Sequence, residues 1–254
     1  MGNRGKIVIM KKGIFLLVVL FIQTSCSLSE DCFKKSGNFV SKVFETEEFS
    51  NLYIGNGIAV NIKEGNEQEV VVVAGENLID NIKVYVQDGV LFLEDKTDCN
   101  LNRDYGKTTV TITTPTLINI NSKTEQPIRS IGIVTFPTLR LISIDDGSTA
   151  GTGDFYFDVA VSQLVVESNN ASAFYINGTC SELSLNFYAG NGKFKGQQLQ
   201  AQMIQLFHRG SNDVELYPIQ SILGSLYGTG NAILKNNPPL INVQQHYTGR
   251  LILN

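Results

Sequence analysis

The chain has 254 residues, enough for one large domain or two small ones. Only 17% of it is charged, Trp is absent and Gly numbers 23, which excludes a helical protein built on Ala, Leu, Glu and Lys and suits an all-β protein with many turns. A formal net charge of −4 argues against nucleic acid as a partner.

The first segment reads as an export signal. Lys11 and Lys12 precede the apolar run "IFLLVVLFI", Ile14 to Ile22. That run is too short to cross a ~30 Å hydrocarbon core as a helix. It meets "QTSC", and small residues before a cysteine at this place resemble a bacterial lipobox. On that reading residues 1–25 are a lipoprotein signal peptide, and Cys26 is lipidated and becomes the first mature residue. An ordinary cleaved signal, with Cys26 free or in a disulfide, is the alternative. "MKKGIFLLVVLFIQTSC" is complete by itself, which predicts that Met10 is the true start. Cleavage would remove Arg4, Lys6, Lys11 and Lys12 and no acid, leaving 16 of the 20 basic side chains against 24 acidic ones, a net of −8. Attachment to a membrane would therefore come through the lipid and not through an anionic surface. Residues 26–38 form a tether. Its "SLSED" stretch, with Glu30 and Asp31, resembles the export signal of surface lipoproteins in Bacteroidetes-type bacteria. An outer-membrane lipoprotein is expected, with the cell surface favoured over the periplasm. The plainer reading is a solvated tether.

Strand patterns begin at Phe39, so residues 39–254 are expected to form one domain. "NLYIGNGIAVNIKEG" and "EVVVVAG" are short β-branched runs broken by Gly and Asn. In "NIKVYVQDGVLFLED", Asp88-Gly89 separates two alternating runs and predicts a hairpin with a type I′ turn. "TTVTITTPTLINI" follows as another strand.

From Leu139 onward the chain repeats. "LRLISIDDGSTAG", "QLVVESNNASAFYING", "ELSLNFYAGNGKFKG", "QMIQLFHRGSNDVEL", "SILGSLYGTGNAILK" and "LINVQQHYTGRLILN" each give an alternating strand, a polar turn and a second strand. The turns centre near Gly147, Ala171, Gly190, Gly210, Gly230 and Gly249. One such unit cannot bury its apolar face alone, whereas a stack of them buries a continuous column. The expectation is a right-handed parallel β-helix-like fold, or single-stranded β-solenoid, with N-terminal hairpin strands. An antiparallel sandwich is the structural alternative.

The "GNGIAVNI" and "AGENLIDNIKVYVQDGVLFL" segments and the later glycine turns resemble the head GIN domain family over roughly residues 40–250. Members are adhesin-like domains of Bacteroidetes-type bacteria whose function is not established. The resemblance implies a β-solenoid-like domain and brings no catalytic residues with it.

Several chemistries can be weighed on the residues. Gly190, Gly192 and Gly196 in "FYAGNGKFKG" have the wrong spacing for a dinucleotide loop, and no helix pattern follows them. Asp145, Asp146, Asp154 and Asp158 are the acids a pectinase-like, polysaccharide-active β-helix would use, but no acid occupies the matching turns of later repeats. His208 and His246 are the two histidines, and neither sits in a triad or zinc pattern. Neither a cofactor nor a metal is expected, and the chain is not expected to be an enzyme. A structural envelope protein is a further alternative. Cys32, Cys99 and Cys180 lie far from any CxxC spacing. Cys32 and Cys99 flank polar segments and form a possible disulfide in an exported protein. Cys180 is expected at a strand edge. Finally, Tyr188, His208, Tyr227 and Tyr247 recur just before successive turns. Stacked over three coil spacings of ~4.8 Å they would make an aromatic ladder. Such a ladder could bind a glycan or protein ligand, or only brace its neighbours. No feature speaks to the oligomeric state.

Overall fold

The computed structural model describes residues 35–97, 108–147 and 151–253. The segment expected to be a signal peptide, the tether with Cys26 and Cys32, and Cys99 lie outside the described residues. No described helix is long and apolar enough to cross a membrane.

Two parallel sheets face each other and share one core. The N-terminal coils use β2 (Asn51–Ile54), β3 (Ile58–Glu64), β6 (Val90–Asp95), β7 (Thr108–Thr114), β8 (Asn119–Ser122), β9 (Ile128–Val134) and β10 (Thr138–Ser143). Four long strands follow: β11 (Phe155–Ser168), β12 (Ala173–Phe187), β13 (Lys193–His208) and β14 (Val214–Leu226). Each long strand bends midway, so that its first half joins one sheet and its second half the other. β15 (Ala232–Leu234), β16 (Leu240–Gln245) and β17 (Leu251–Leu253) complete the stack. The first sheet, through β10 and the second halves of the long strands, carries the residues discussed below. This is the β-solenoid expected from the repeat.

Alternation decides which residues enter the core. Leu183, Leu185 and Phe187 point inward from β12, in register with Ile204, Leu206 and His208 of β13. Phe155 stacks on Phe174 with centroids 4.7 Å apart, and Phe174 meets Phe187 at 5.9 Å. Burying each such ring stabilises the coil by roughly 1.5–3 kcal/mol.

The N-terminal end departs from simple coiling. β2 pairs with both β6 and β8, and β3 with both β7 and β9. The coil formed by β2 and β3 is thus held between two coils that come later in the chain. Antiparallel strands close this end: β4 (Glu69–Gly75) on β7, β1 (Phe39–Phe44) on β4, and β5 (Ile82–Gln87) on β6. β5 and β6 meet in the predicted hairpin, with Asp88 at φ 52° and Gly89 at φ 73°, the two positive values a type I′ turn needs.

Cys180 departs from expectation. It lies inside β12, buried at 3% exposure, because it falls in phase with the inward residues near the bend. Burial pushes its thiol up to about 12, with Glu182 adding to the effect.

Candidate functional site

The outer face of the first sheet carries the aromatic residues singled out in the sequence. Tyr188 and Tyr227 are exposed where β12 and β14 enter their turns. Backbone bonds fix the register: Tyr188 N–H donates to Ser168, Arg209 N–H to Phe187, Tyr227 N–H to His208 and His246 N–H to Leu226. Tyr188, Arg209, Tyr227 and His246 therefore occupy equivalent outward positions. The intervals are 21, 18 and 19 residues, whereas Tyr188, His208, Tyr227 and Tyr247 are 20, 19 and 20 apart.

That difference in spacing corrects the expected ladder at two places. His208 is fully buried and pairs with Phe187 and Leu226, not with the exposed tyrosines. A one-residue slip carries a side chain to the opposite face of a strand. Tyr247 is 61% exposed but one residue past the register position, and its ring stacks on no other among the described residues. In their places stand Phe207 and His246. The ring centroids of Tyr188 and Phe207 are 5.8 Å apart, those of Phe207 and Tyr227 5.3 Å, and those of Tyr227 and His246 4.3 Å. The inward alternation of Ile204, Leu206 and His208 was the signal in the sequence that could have placed Phe207 outside.

The rings meet at different angles, which limits what they can offer. Tyr227 and His246 are parallel to within 2°, so their faces cover one another and their edges meet solvent. Phe207 is tilted by 44° from Tyr188 and 38° from Tyr227. The strip is an apolar ridge with polar ring atoms along it. At its N-terminal end Tyr188 donates its hydroxyl to Glu167 Oε1 at 2.7 Å. Glu167 is itself buried and is held by Arg140, whose Nε lies 2.5 Å from Oε2. Burial, then the Glu167 hydrogen bond and charge, push the Tyr188 phenol up to about 12. The ring is thereby locked in one orientation as a neutral donor.

His208 belongs to the interior. Its Nε2 is 2.9 Å from the Asn212 carbonyl, so Nε2 carries the proton and donates. Nδ1 is buried without a partner. Desolvation holds its pKa below the ordinary histidine range, opposed by the Asn212 bond and the charge of Asp213.

The four acids of the enzyme alternative each have a local structural role. Asp145 accepts from Gly147 N–H, Asp146 pairs with Lys123 at 2.8 Å, Asp154 accepts from Ala173 N–H and Asp158 from the Asn177 amide. Gly190 sits in a turn at φ 81°, where a Cβ would meet the Asn170 carbonyl at 2.5 Å; β13 begins at Lys193, so no helix follows the glycines. Gly196 lies inside that strand. Among the described residues no group of three or more His, Cys, Asp or Glu is placed to hold a metal ion. A separate groove of about 710 Å³ lies at the N-terminal end, with Lys63, Glu45, Glu67 and Glu69 in its wall.

A family model described as "Putative auto-transporter adhesin, head GIN domain" matches residues 48–238. Comparison with curated proteins finds no match. Among solved structures, a "putative adhesin" from Bacteroides fragilis superposes with a TM-score of 0.77 at 19% identity, covering 87% of this chain and 100% of its own. A "putative lipid binding protein" from Parabacteroides distasonis gives 0.61 at 15%, covering 86% and 100%. A "putative adhesin" from Parabacteroides merdae gives 0.60 at 14%, covering 86% and 98%. At these identities the likeness is one of fold.

Proposed function

The chain belongs to the head GIN domain family, and on that premise we propose that it is a cell-envelope lipoprotein displaying a non-catalytic, adhesin-like β-solenoid. Cys26 carries the lipid that holds it to the outer membrane, and the solenoid faces the cell exterior. The lipobox-like segment and the acidic tether support the anchor, and the adhesin description of the family supports the role. The ligand is an extended protein or glycan laid along the coil axis. The observation that carries this reading is the aromatic strip of exposed Tyr188, Tyr227 and His246 with half-buried Phe207 among them, continuous over four coils. Aromatic groups with polar tips are suited to such contacts, and a few of them carry most of the energy of an interface.

The test is a screen of glycans and matrix proteins, run beside a polysaccharide-cleavage assay. One similar structure is described as lipid binding, so phospholipid vesicles belong in the same screen. Tyr188→Ala combined with Tyr227→Ala is expected to weaken binding at least ~10-fold, the loss of about one hot-spot residue. Tyr247→Ala, exposed but outside the strip, is the control. Equal binding by all three proteins would remove the strip from consideration. Polysaccharide cleavage by the wild type would overturn the non-catalytic reading. Labelled palmitate should enter the wild type and not Cys26→Ser, and a precursor peptide covering Asn3 to Ile9 would refute Met10 as the start.

A further inference from the structure

The two ends of the solenoid differ in chemistry. At the N-terminal end the edge strands are β1 and β5, each paired on one side only among the described residues. Each carries a lysine, Lys42 in "FVSKVF" and Lys83 in "IKVYVQ". Lys42 lies over the Phe44 ring at 4.9 Å and 3.7 Å from Asp80, and Lys83 donates to the Asp80 carbonyl. Charged residues, lysine above all, on an edge strand are a recognised bar to further strand pairing.

The described edge strands at the C-terminal end carry no lysine. They are β16, "LINVQQ", and β17, "LIL", with no charged side chain in either. The nearby Arg250 lies in the turn between them and donates to the carbonyls of Tyr247 and Gly249. β16 pairs only with β14, and β17 only with β15, among the described residues. His246 N–H donates to Leu226 and the Arg250 carbonyl accepts from Ala232. In a parallel ladder the alternate residues turn their groups the other way. Val243 and Leu251 therefore present backbone donors and acceptors to the open side. Apolar surface is open there too: Ile241, Val243 and Leu251 only half-cover the end of the core, and the outward Leu240 and Ile252 are 52% and 40% exposed.

We propose that this end is an isologous interface, on which a second copy of the chain docks tail to tail. The N-terminal edge of another copy is barred by Lys42 and Lys83, so head-to-tail stacking is disfavoured and the assembly closes as a dimer. A two-fold axis perpendicular to the coil axis makes every new pairing antiparallel, whether β16 meets β16 or β17 of the partner. Antiparallel pairing is the more stable per residue. It is also how the N-terminal end is closed, by strands of the same chain. Six residues of β16 and sheets ~10 Å apart make the end face roughly 20 Å by 10 Å between backbones, before outward side chains add to it. That is smaller than stable interfaces use, so the dimer is weak and dissociates on dilution.

Sedimentation velocity of the full chain, in detergent if it is lipidated, tests this over a hundredfold dilution. The wild type should shift from twice the monomer mass to the monomer mass. Asn242→Lys and Ile252→Lys place a charge on outward positions of the last coil and leave the core alone. Both should stay monomeric throughout, with unchanged circular dichroism. Val43→Lys, on the opposite edge, should dimerise like the wild type. A wild type that is monomeric at every concentration overturns the proposal. So does a loss of association in Val43→Lys, which would mean head-to-tail stacking, or dimers that survive both C-terminal variants.

Discussion

His208 makes the solenoid sensitive to acid. The ring is fully buried, Nε2 donates to Asn212, and Nδ1 has no partner. A second proton on Nδ1 would put an unsolvated charge in the core, and burial accordingly lowers the pKa of the folded form. The unfolded chain keeps an ordinary histidine. As pH falls below ~6.5 the unfolded state takes up a proton that the folded state refuses, so stability is present above that pH and is lost below it. One proton limits the slope to about 1.4 kcal/mol per pH unit, hence at most about 2 kcal/mol between pH 6.5 and 5. His208→Leu places at this position the residue type that the next coil already uses, since His208 pairs with Leu226. It should cost about 1 kcal/mol at neutral pH, because Asn212 loses its donor. Urea denaturation of both proteins at steps from pH 7.5 to 5 isolates the effect, because every other titrating group is common to both and cancels. The difference in stability should narrow and then reverse as pH falls. Parallel pH profiles would refute a buried, neutral His208.

Three further outcomes follow from the coil geometry. Gly224 sits at φ 142° with a Cβ position 1.9 Å from the Leu206 carbonyl, while Gly89 at φ 73° has open space around it. Gly224→Ala should therefore cost more than the ~1–3 kcal/mol of backbone strain alone, and Gly89→Ala should stay within it; thermal unfolding followed by circular dichroism separates them. Lys123 is buried at 3% exposure, donates to the Ile144 carbonyl at 2.6 Å and pairs with Asp146. Lys123→Met should lower stability by roughly 1.5–3 kcal/mol in denaturant titration, the range for hydrogen bonds from charged groups. The Cys180 thiol, raised to about 12 by burial, should resist iodoacetamide at pH 8 in the folded protein and react once urea unfolds it. Mass mapping of the peptide that contains Cys180 reads this out.

What was legible in the sequence was local. The Asp88-Gly89 hairpin could be read because two adjacent residues specify its turn. The coils could be read because each repeats a strand, a turn and a strand. The strip was legible only in outline, since counting about twenty residues per coil places each ring to within one residue and does not say which face of the strand it takes. Two of its four members moved by one residue, and one residue is the difference between core and surface. The insertion of the β2 and β3 coil between two later coils leaves no local trace at all. Its partners are chosen by which apolar edges remain open, and those edges are far apart in the chain. The Arg140, Glu167 and Tyr188 cluster joins three successive coils and was invisible for the same reason.

That inserted coil sets an order of assembly. In the C-terminal half each new coil pairs with chain made about 19 residues earlier, as Phe155 does with Phe174. Asn51 must instead find Val90, 39 residues on, and Asn119, 68 residues on. Closing the longer loop costs about 1 kcal/mol more entropy than closing a 19-residue one, before any contact compensates. The C-terminal coils can zip up by short steps, and low contact order makes such steps fast. A segment synthesised early is thus among the last to be fully packed, and exposed β2 and β3 edges mark the species most open to aggregation during folding.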